Sequence, residues 1–142
     1  MFRRETFQTV QVMSIVVQKF GGTSLADPAR IRAVADRVES TRREGHDVVV
    51  VVSAMGQTTD QLVSLAAEVS DDPSPREMDM LLSAGERISM ALLAINLNSR
   101  GIPAVSYTGS QAGILTDSSH GSAKILDIRG PGSGTAWPRA GW

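Results

Sequence analysis

"VVQKFGGTS", residues 16–24, runs from valines through a lysine into two glycines and two hydroxyl residues. Ile15 to Phe20 reads as a strand, because β-branched residues in a near-continuous apolar run suit a strand covered on both faces. The glycines end it. Asp27 before Pro28 offers an N-cap followed by the proline-tolerant first helical position, and Ile31, Val34, Ala35 and Val38 recur at helical spacing until Gly45. "DVVVVVSAMG", residues 47–56, then has the composition of a buried central strand ending in small residues. Strand, helix and strand make a βαβ crossover, right-handed by default.

Helical spacing returns from Thr59, with Leu62, Val63, Ala66 and Val69 on one face, until "DDPSP" breaks it. Arg76 to Arg100 is the longest helical pattern, with Met80, Leu81, Ala84, Ile88, Ala91, Leu92 and Ile95 as its apolar face before Gly101 and Pro103. So wide a face implies burial on more than one side, and the subunit interface of a homo-oligomer is one candidate. "AVSYT" (104–108) reads as a short strand, "GSQAG" (109–113) as a loop and "AKILDI" (123–128) as a further strand. Strands alternating with helices predict an α/β fold, a three-layer sandwich on a mainly parallel sheet. Residues 1–14 read as a disordered leader, with Met13 as an alternative start, and residues 129–142 as a disordered Gly/Pro-rich tail. The abrupt change of character at about Arg129 suggests truncation or a shifted reading frame.

The chain of 142 residues is one domain's worth. With 14 basic and 15 acidic residues it has no electrostatic footprint for nucleic acid or an anionic membrane surface, so any anion must be held locally. The lack of cysteine excludes disulfides and thiolate metal sites. No apolar run reads as reaching the roughly 20 residues that span a bilayer, and the N-terminus lacks the apolar core of a signal peptide. A cytoplasmic location is expected.

Ligands of open α/β sheets bind at the carboxyl ends of the strands, where Lys19 to Ser24 fall. Glycine lets backbone N–H groups approach phosphate oxygens, a following helix adds partial positive charge, and lysine adds a full one. The alternative is a strand-to-helix turn with a snorkelling lysine, since neither the P-loop nor the dinucleotide pattern is present. Ser53 to Gly56 would line the same crevice, and Thr59 either caps the next helix or offers its hydroxyl to a ligand. Gly85, inside a helical pattern, costs about 1 kcal/mol relative to alanine and so points to close approach of backbone or ligand. Glu86 beside it meets a substrate ammonium or pairs with Arg87 or Arg76. His46 and His120 lack carboxylates at metal spacing and read as solvent-facing loop residues, so no metal ligands are assigned. Tyr107 and the methionines read as packing residues, and Thr116 and Asp117 as crevice or turn.

"KFGGTS", "VVVVVSAMGQTTD", "MDMLLSAGERIS" and "TGSQAGILTD", in this order, resemble the N-terminal part of the aspartokinases, within the amino acid kinase family. The resemblance covers about Ile15 to Ile128. It implies transfer of the ATP γ-phosphoryl group, with Mg²⁺, to the side-chain carboxylate of L-aspartate, the entry to lysine, threonine and methionine synthesis. It also implies that Lys19, Phe20, Gly21 and Gly22 meet the nucleotide phosphates, with Lys19 catalytic, and that Thr59 and Glu86 contact the amino acid. Its relatives continue into a glycine-rich, arginine-containing motif, adenine-binding residues and regulatory ACT domains, which these residues lack. The polypeptide alone is therefore expected to be inactive or nearly so. The alternatives are a non-catalytic remnant that binds a partner through the long helix, and a kinase for glutamate or another amino acid.

Overall fold

The computed structural model describes residues 13–130. Apart from residues 13, 14, 129 and 130, the leader and the tail expected from the sequence lie outside the described residues. Strand β1 (Ile15–Phe20) pairs in parallel with β2 (Asp47–Val52), Ile15 opposite Asp47 and Phe20 opposite Val52. Helix α1 (Pro28–Arg43) connects them, so the βαβ unit is present as the sequence predicts. Asp27 caps α1 by accepting the Arg30 N–H at 2.9 Å, and Gly45 leaves the helix at φ 86°.

Ile31, Val34, Ala35 and Val38 form the buried face of α1. They pack with Phe20, Leu25, and Leu93 and Leu97 of α3 (Pro75–Ser99) into one core, against which Val48, Val50 and Val52 also lie. Burial of each large side chain here contributes about 1.5–3 kcal/mol. Alternation along the strands puts Ile15, Val17 and Lys19 on the other face of the sheet, where Ile15 is 71% and Val17 66% exposed. The expectation of strands covered on both faces is thus corrected: among the described residues the core covers one face of a two-stranded parallel sheet. A run of valines shows that a strand tolerates two covers, not that its own chain supplies both.

Helix α3 differs from its sequence reading in a second way. Its buried stripe is Gly85, Ser89, Leu93 and Leu97, whereas Met80, Ile88, Leu92 and Ile95 are 52%, 50%, 38% and 64% exposed. A search for apolar periodicity passes over glycine and serine, yet those small residues let α3 close on β2. By length and composition alone α3 also meets the requirement for crossing a membrane, contrary to expectation. Here Leu93 and Leu97 serve the core, and Arg100 just beyond the helix ties it to α1 by donating to Asp36 (2.5 Å), Glu39 (3.2 Å) and the Arg32 carbonyl oxygen (3.2 Å).

Helix α2 (Thr58–Val69) starts one residue before the expected Thr59, with Gln57 as N-cap, and none of its residues is fully buried. "AVSYT" is not a strand. The Asn98 side chain takes both backbone groups of Ala104, donating to its carbonyl oxygen (3.0 Å) and accepting its N–H (2.9 Å). Strand β4 (Ile125–Ile128) falls within the expected "AKILDI" and pairs antiparallel with β3 (Ile114–Thr116), which emerges directly after the expected loop. These two strands form a sheet of their own.

Candidate functional site at the carboxyl ends of β1 and β2

The chain leaves β1 and β2 through small residues, and these interlock. The Gly56 N–H donates to the Gly22 carbonyl oxygen at 3.0 Å, and the Ser53 N–H to that of Phe20 at 3.2 Å. A Cβ on Gly22 would stand 2.8 Å from the Ala54 carbonyl oxygen, closer than real side chains come, so glycine is required there. A Cβ on Gly85 would stand 2.8 Å from the Ala54 methyl, with the Thr58 methyl at 3.6 Å and Leu62 at 3.8 Å. Ala54, 5% exposed, is therefore the residue on which the K-F-G-G, S-A-M-G and S-A-G-E segments converge. Ser89, wholly buried, pins the junction by donating to the Ser53 carbonyl oxygen at 2.7 Å while also reaching that of Glu86 at 3.0 Å.

The two glycines of K-F-G-G have different duties. Gly21 has an extended backbone (φ −77°, ψ 170°) that any residue adopts, and a Cβ on it would meet nothing within 4 Å. Neither packing nor backbone conformation asks for glycine at 21, so its effect is to leave that backbone bare towards open space. Lys19, the penultimate residue of β1, is exposed opposite Val51 and takes part in none of the ion pairs among the described residues. Phe20 is 8% exposed and its ring belongs to the core, which leaves only its backbone to a ligand.

Thr59 lies exposed in the first turn of α2, and no side chain caps that helix, so the capping role is not observed. Glu86 is exposed at the junction. The pairing that would make it an ordinary helix carboxylate is also not observed, because Arg76 binds Glu77 instead. Thus Lys19 is the penultimate residue of β1 with Gly21 and Gly22 directly after that strand, Thr59 lies in the helix that follows β2, and Glu86 is next to Gly85, which packs on Ala54. A positive group, bare amides, a hydroxyl and a carboxylate without a counter-ion suit a ligand that carries both signs of charge.

Lys19 also borders a shallow depression of about 440 Å³ at the open edge of β1, with Gln18, Phe20, Arg37, Ser40 and Thr41. Neither Thr59 nor Glu86 lines it. Gln18 donates to the Thr41 hydroxyl there at 2.8 Å, and its Oε1 is buried without a partner.

The fourth motif, residues 108–117, is not at the Ala54 junction. Asp117 accepts from the Ser119 N–H (3.0 Å) and the Lys124 N–H (3.3 Å), which is the turn reading of "TD", and these bonds, Ser119 first, hold its carboxyl below the usual range. His120 is an exposed loop residue, as the sequence reading has it, and its Nδ1 lies 3.0 Å from the Asp79 carboxylate, a partner that sequence spacing could not reveal. His46 bonds the Ser14 hydroxyl at 3.0 Å. Among the described residues no three His, Asp or Glu side chains gather as a metal site. Ala54 falls within the Ser53–Gly56 segment expected to line the crevice, whereas Ser89 and Asp79 are not singled out by the sequence, although Ser89 one turn after Gly85 is a signal for a close helix contact.

The chain belongs to the amino acid kinase family, whose model matches residues 14–131. Its relatives are aspartokinases. That of Mycolicibacterium smegmatis is 61% identical over 116 residues, 82% of this chain and 28% of that one. The solved aspartate kinase from Synechocystis superposes with a TM-score of 0.67 at 55% identity, over 71% of this chain and 17% of that chain. Aspartokinase III of E. coli, solved in complex with aspartate and ADP in its R-state, shares the fold with a TM-score of 0.66 at 24% identity, over 80% and 35% of the two chains. The chain spans 28% of the length of the curated relatives it matches. The expected α/β class with a parallel sheet is confirmed by these neighbours.

Proposed function

We propose that the Ala54 junction is the phosphate-facing and amino-acid-facing part of an aspartate kinase site. The reaction is transfer of the ATP γ-phosphoryl group to the side-chain carboxylate of L-aspartate, giving 4-phospho-L-aspartate, in a cytoplasmic enzyme of amino-acid biosynthesis. The observation that supports this reading is the packing of Gly22 and Gly85 on one small buried residue, Ala54, which joins the three segments that carry Lys19, Thr59 and Glu86.

The residues fit their ligands. Space beside the Gly21 backbone and an unpaired Lys19 ammonium suit phosphate oxygens, and the unpaired Glu86 carboxylate suits the aspartate ammonium. Phosphoryl transfer needs positioning and charge neutralisation more than covalent help. Lys19 holds positive charge where the transferred group becomes more negative, the Gly21 and Gly22 amides add fixed dipoles, and the Thr59 hydroxyl orients the amino acid that Glu86 anchors. Mg²⁺ held on the nucleotide phosphates would supply further charge neutralisation, and no carboxylate among the described residues is assigned to it.

The test uses a chimera in which the matched 116 residues of the Mycolicibacterium smegmatis aspartokinase are replaced by those of this chain. Coupled ATP turnover with aspartate is expected, and Lys19→Ala is expected to lower kcat by about 10²-fold or more, the scale of deleting one transition-state donor. Near-normal turnover in Lys19→Ala, or a preference for glutamate over aspartate, would refute the assignment. The uncovered face of the β1–β2 sheet favours one other reading, a non-catalytic chain that binds a partner. That reading prevails if the chimera is folded yet idle.

A further inference from the structure

Residues 105–130 form an arm that returns alongside α3. Strands β3 and β4 pack chiefly on each other, and every residue of β4 is exposed. Polar contacts to α3 stand at the start of the arm and at its β3–β4 connection. Near the C-terminal end of α3, Asn98 holds both backbone groups of Ala104. Near its N-terminal end, the Asp79 carboxylate accepts the Gly121 N–H at 3.0 Å and 3.1 Å and lies 3.0 Å from His120 Nδ1. Most of the length of α3, roughly 28 Å at about 1.5 Å per residue, separates the two anchors.

We propose that this arm is a strap, hinged after Ala104 and latched by Asp79. The Asn98 bonds use backbone groups directly after the helix, so they fix where the arm begins. The Asp79 bonds act on the β3–β4 connection and fix where the hairpin turns back. One carboxylate serves two donors from adjacent residues, and bonds to a charged acceptor are stronger than neutral ones. Asp79 also precedes Glu86 by two helical turns and shares its face of α3. The latched loop therefore lies on the side of the helix that presents Glu86, so latching sets how much of that side is open. The significance of Glu86 rests on the proposed function; the latch itself does not.

Hydrogen exchange of the full chain, read by NMR without substrate, tests the latch separately from that function. In Asp79→Ala the amides of residues 114–128, Gly121 foremost, are expected to exchange about 10-fold faster or more, while those of β1, β2 and α1 keep their protection. Asp79→Asn retains one acceptor oxygen and should fall between. His120→Ala, in an exposed loop and leaving α3 intact, should give a smaller rise confined to the same residues, and it decides the matter if Asp79→Ala does not fold. Unchanged exchange in the arm overturns the proposal. So does an equal rise in α1 and β2, which would mean that arm and core open as one unit.

Discussion

The junction around Ala54 and the β3–β4 arm lie in one short chain but are held in unlike ways. At the junction, glycines 22 and 85 bring backbone so near Ala54 that not even a methyl fits, and Ser89 closes the contact from full burial. In the arm, exposed strands pair with each other, and Asp79 and Asn98 tether them. Close-packed contacts have no slack, whereas individual hydrogen bonds contribute about 1 kcal/mol net and open one at a time. Stability should therefore be uneven, high at the Ala54 junction and low where the chain returns over α3.

Leu25→Ala should give the largest change. Leu25 is wholly buried in the core that α1, Phe20 and α3 share, and its truncation should lower unfolding stability by about 2–5 kcal/mol in urea melts followed by circular dichroism. An unmoved midpoint would mean that the core does not govern the fold. Gly85→Ala comes next and sets two effects against each other. Alanine improves helix propensity by about 1 kcal/mol, but the added methyl overlaps that of Ala54, and overpacking costs about 1–3 kcal/mol. The overlap should win, because the Ala54 methyl has no rotamer into which to retreat. Adding Ala54→Gly should restore stability if the diagnosis is right, and a double variant no better than Gly85→Ala would disprove it. Ser89→Ala should cost about 1 kcal/mol by leaving the Ser53 carbonyl oxygen short of its buried donor, with the loss shown in the same melts.

The same contrast explains what could be read from the sequence. β1, α1 and β2 follow from local signals: a valine run, an Asp-Pro cap, four apolar residues at helical spacing and a closing glycine. The close approach at Gly85 was legible because glycine inside a helix demands a reason, and Lys19, Gly22 and Glu86 stand out as candidates because strand ends in α/β sheets are where ligands bind. The buried stripe of α3 was not legible, since it is made half of glycine and serine and depends on how close β2 comes. Neither was the arm. Asp79 and His120 meet across a long stretch of chain, and Asn98 takes both backbone groups of Ala104, the first residue of "AVSYT". Periodicity records which faces want burial. It does not record which distant polar groups find each other.

Acid should separate the two regions by the smallest effect. Asp117 lies in the β3–β4 connection, and bonds from the Ser119 N–H and then the Lys124 N–H lower its pKa in the folded arm. A carboxyl with a lowered folded pKa binds its proton less readily than the same carboxyl in an open chain, whose ordinary value is about 3.9. Its contribution is therefore fully present above that ordinary value, begins to shrink as the open form takes up protons, and is gone once the pH has fallen through the lowered folded value. Arg100, whose pKa is raised first by its hydrogen bond to Asp36 and further by Glu39, keeps its charge throughout this range. Corrected for intrinsic exchange, the Ser119 and Lys124 amides should thus lose protection in acid, and Asp117→Asn should flatten that dependence. An Asp117→Asn arm with the same acid profile would place the titrating group elsewhere and remove the turn from the list of features that keep the strap folded.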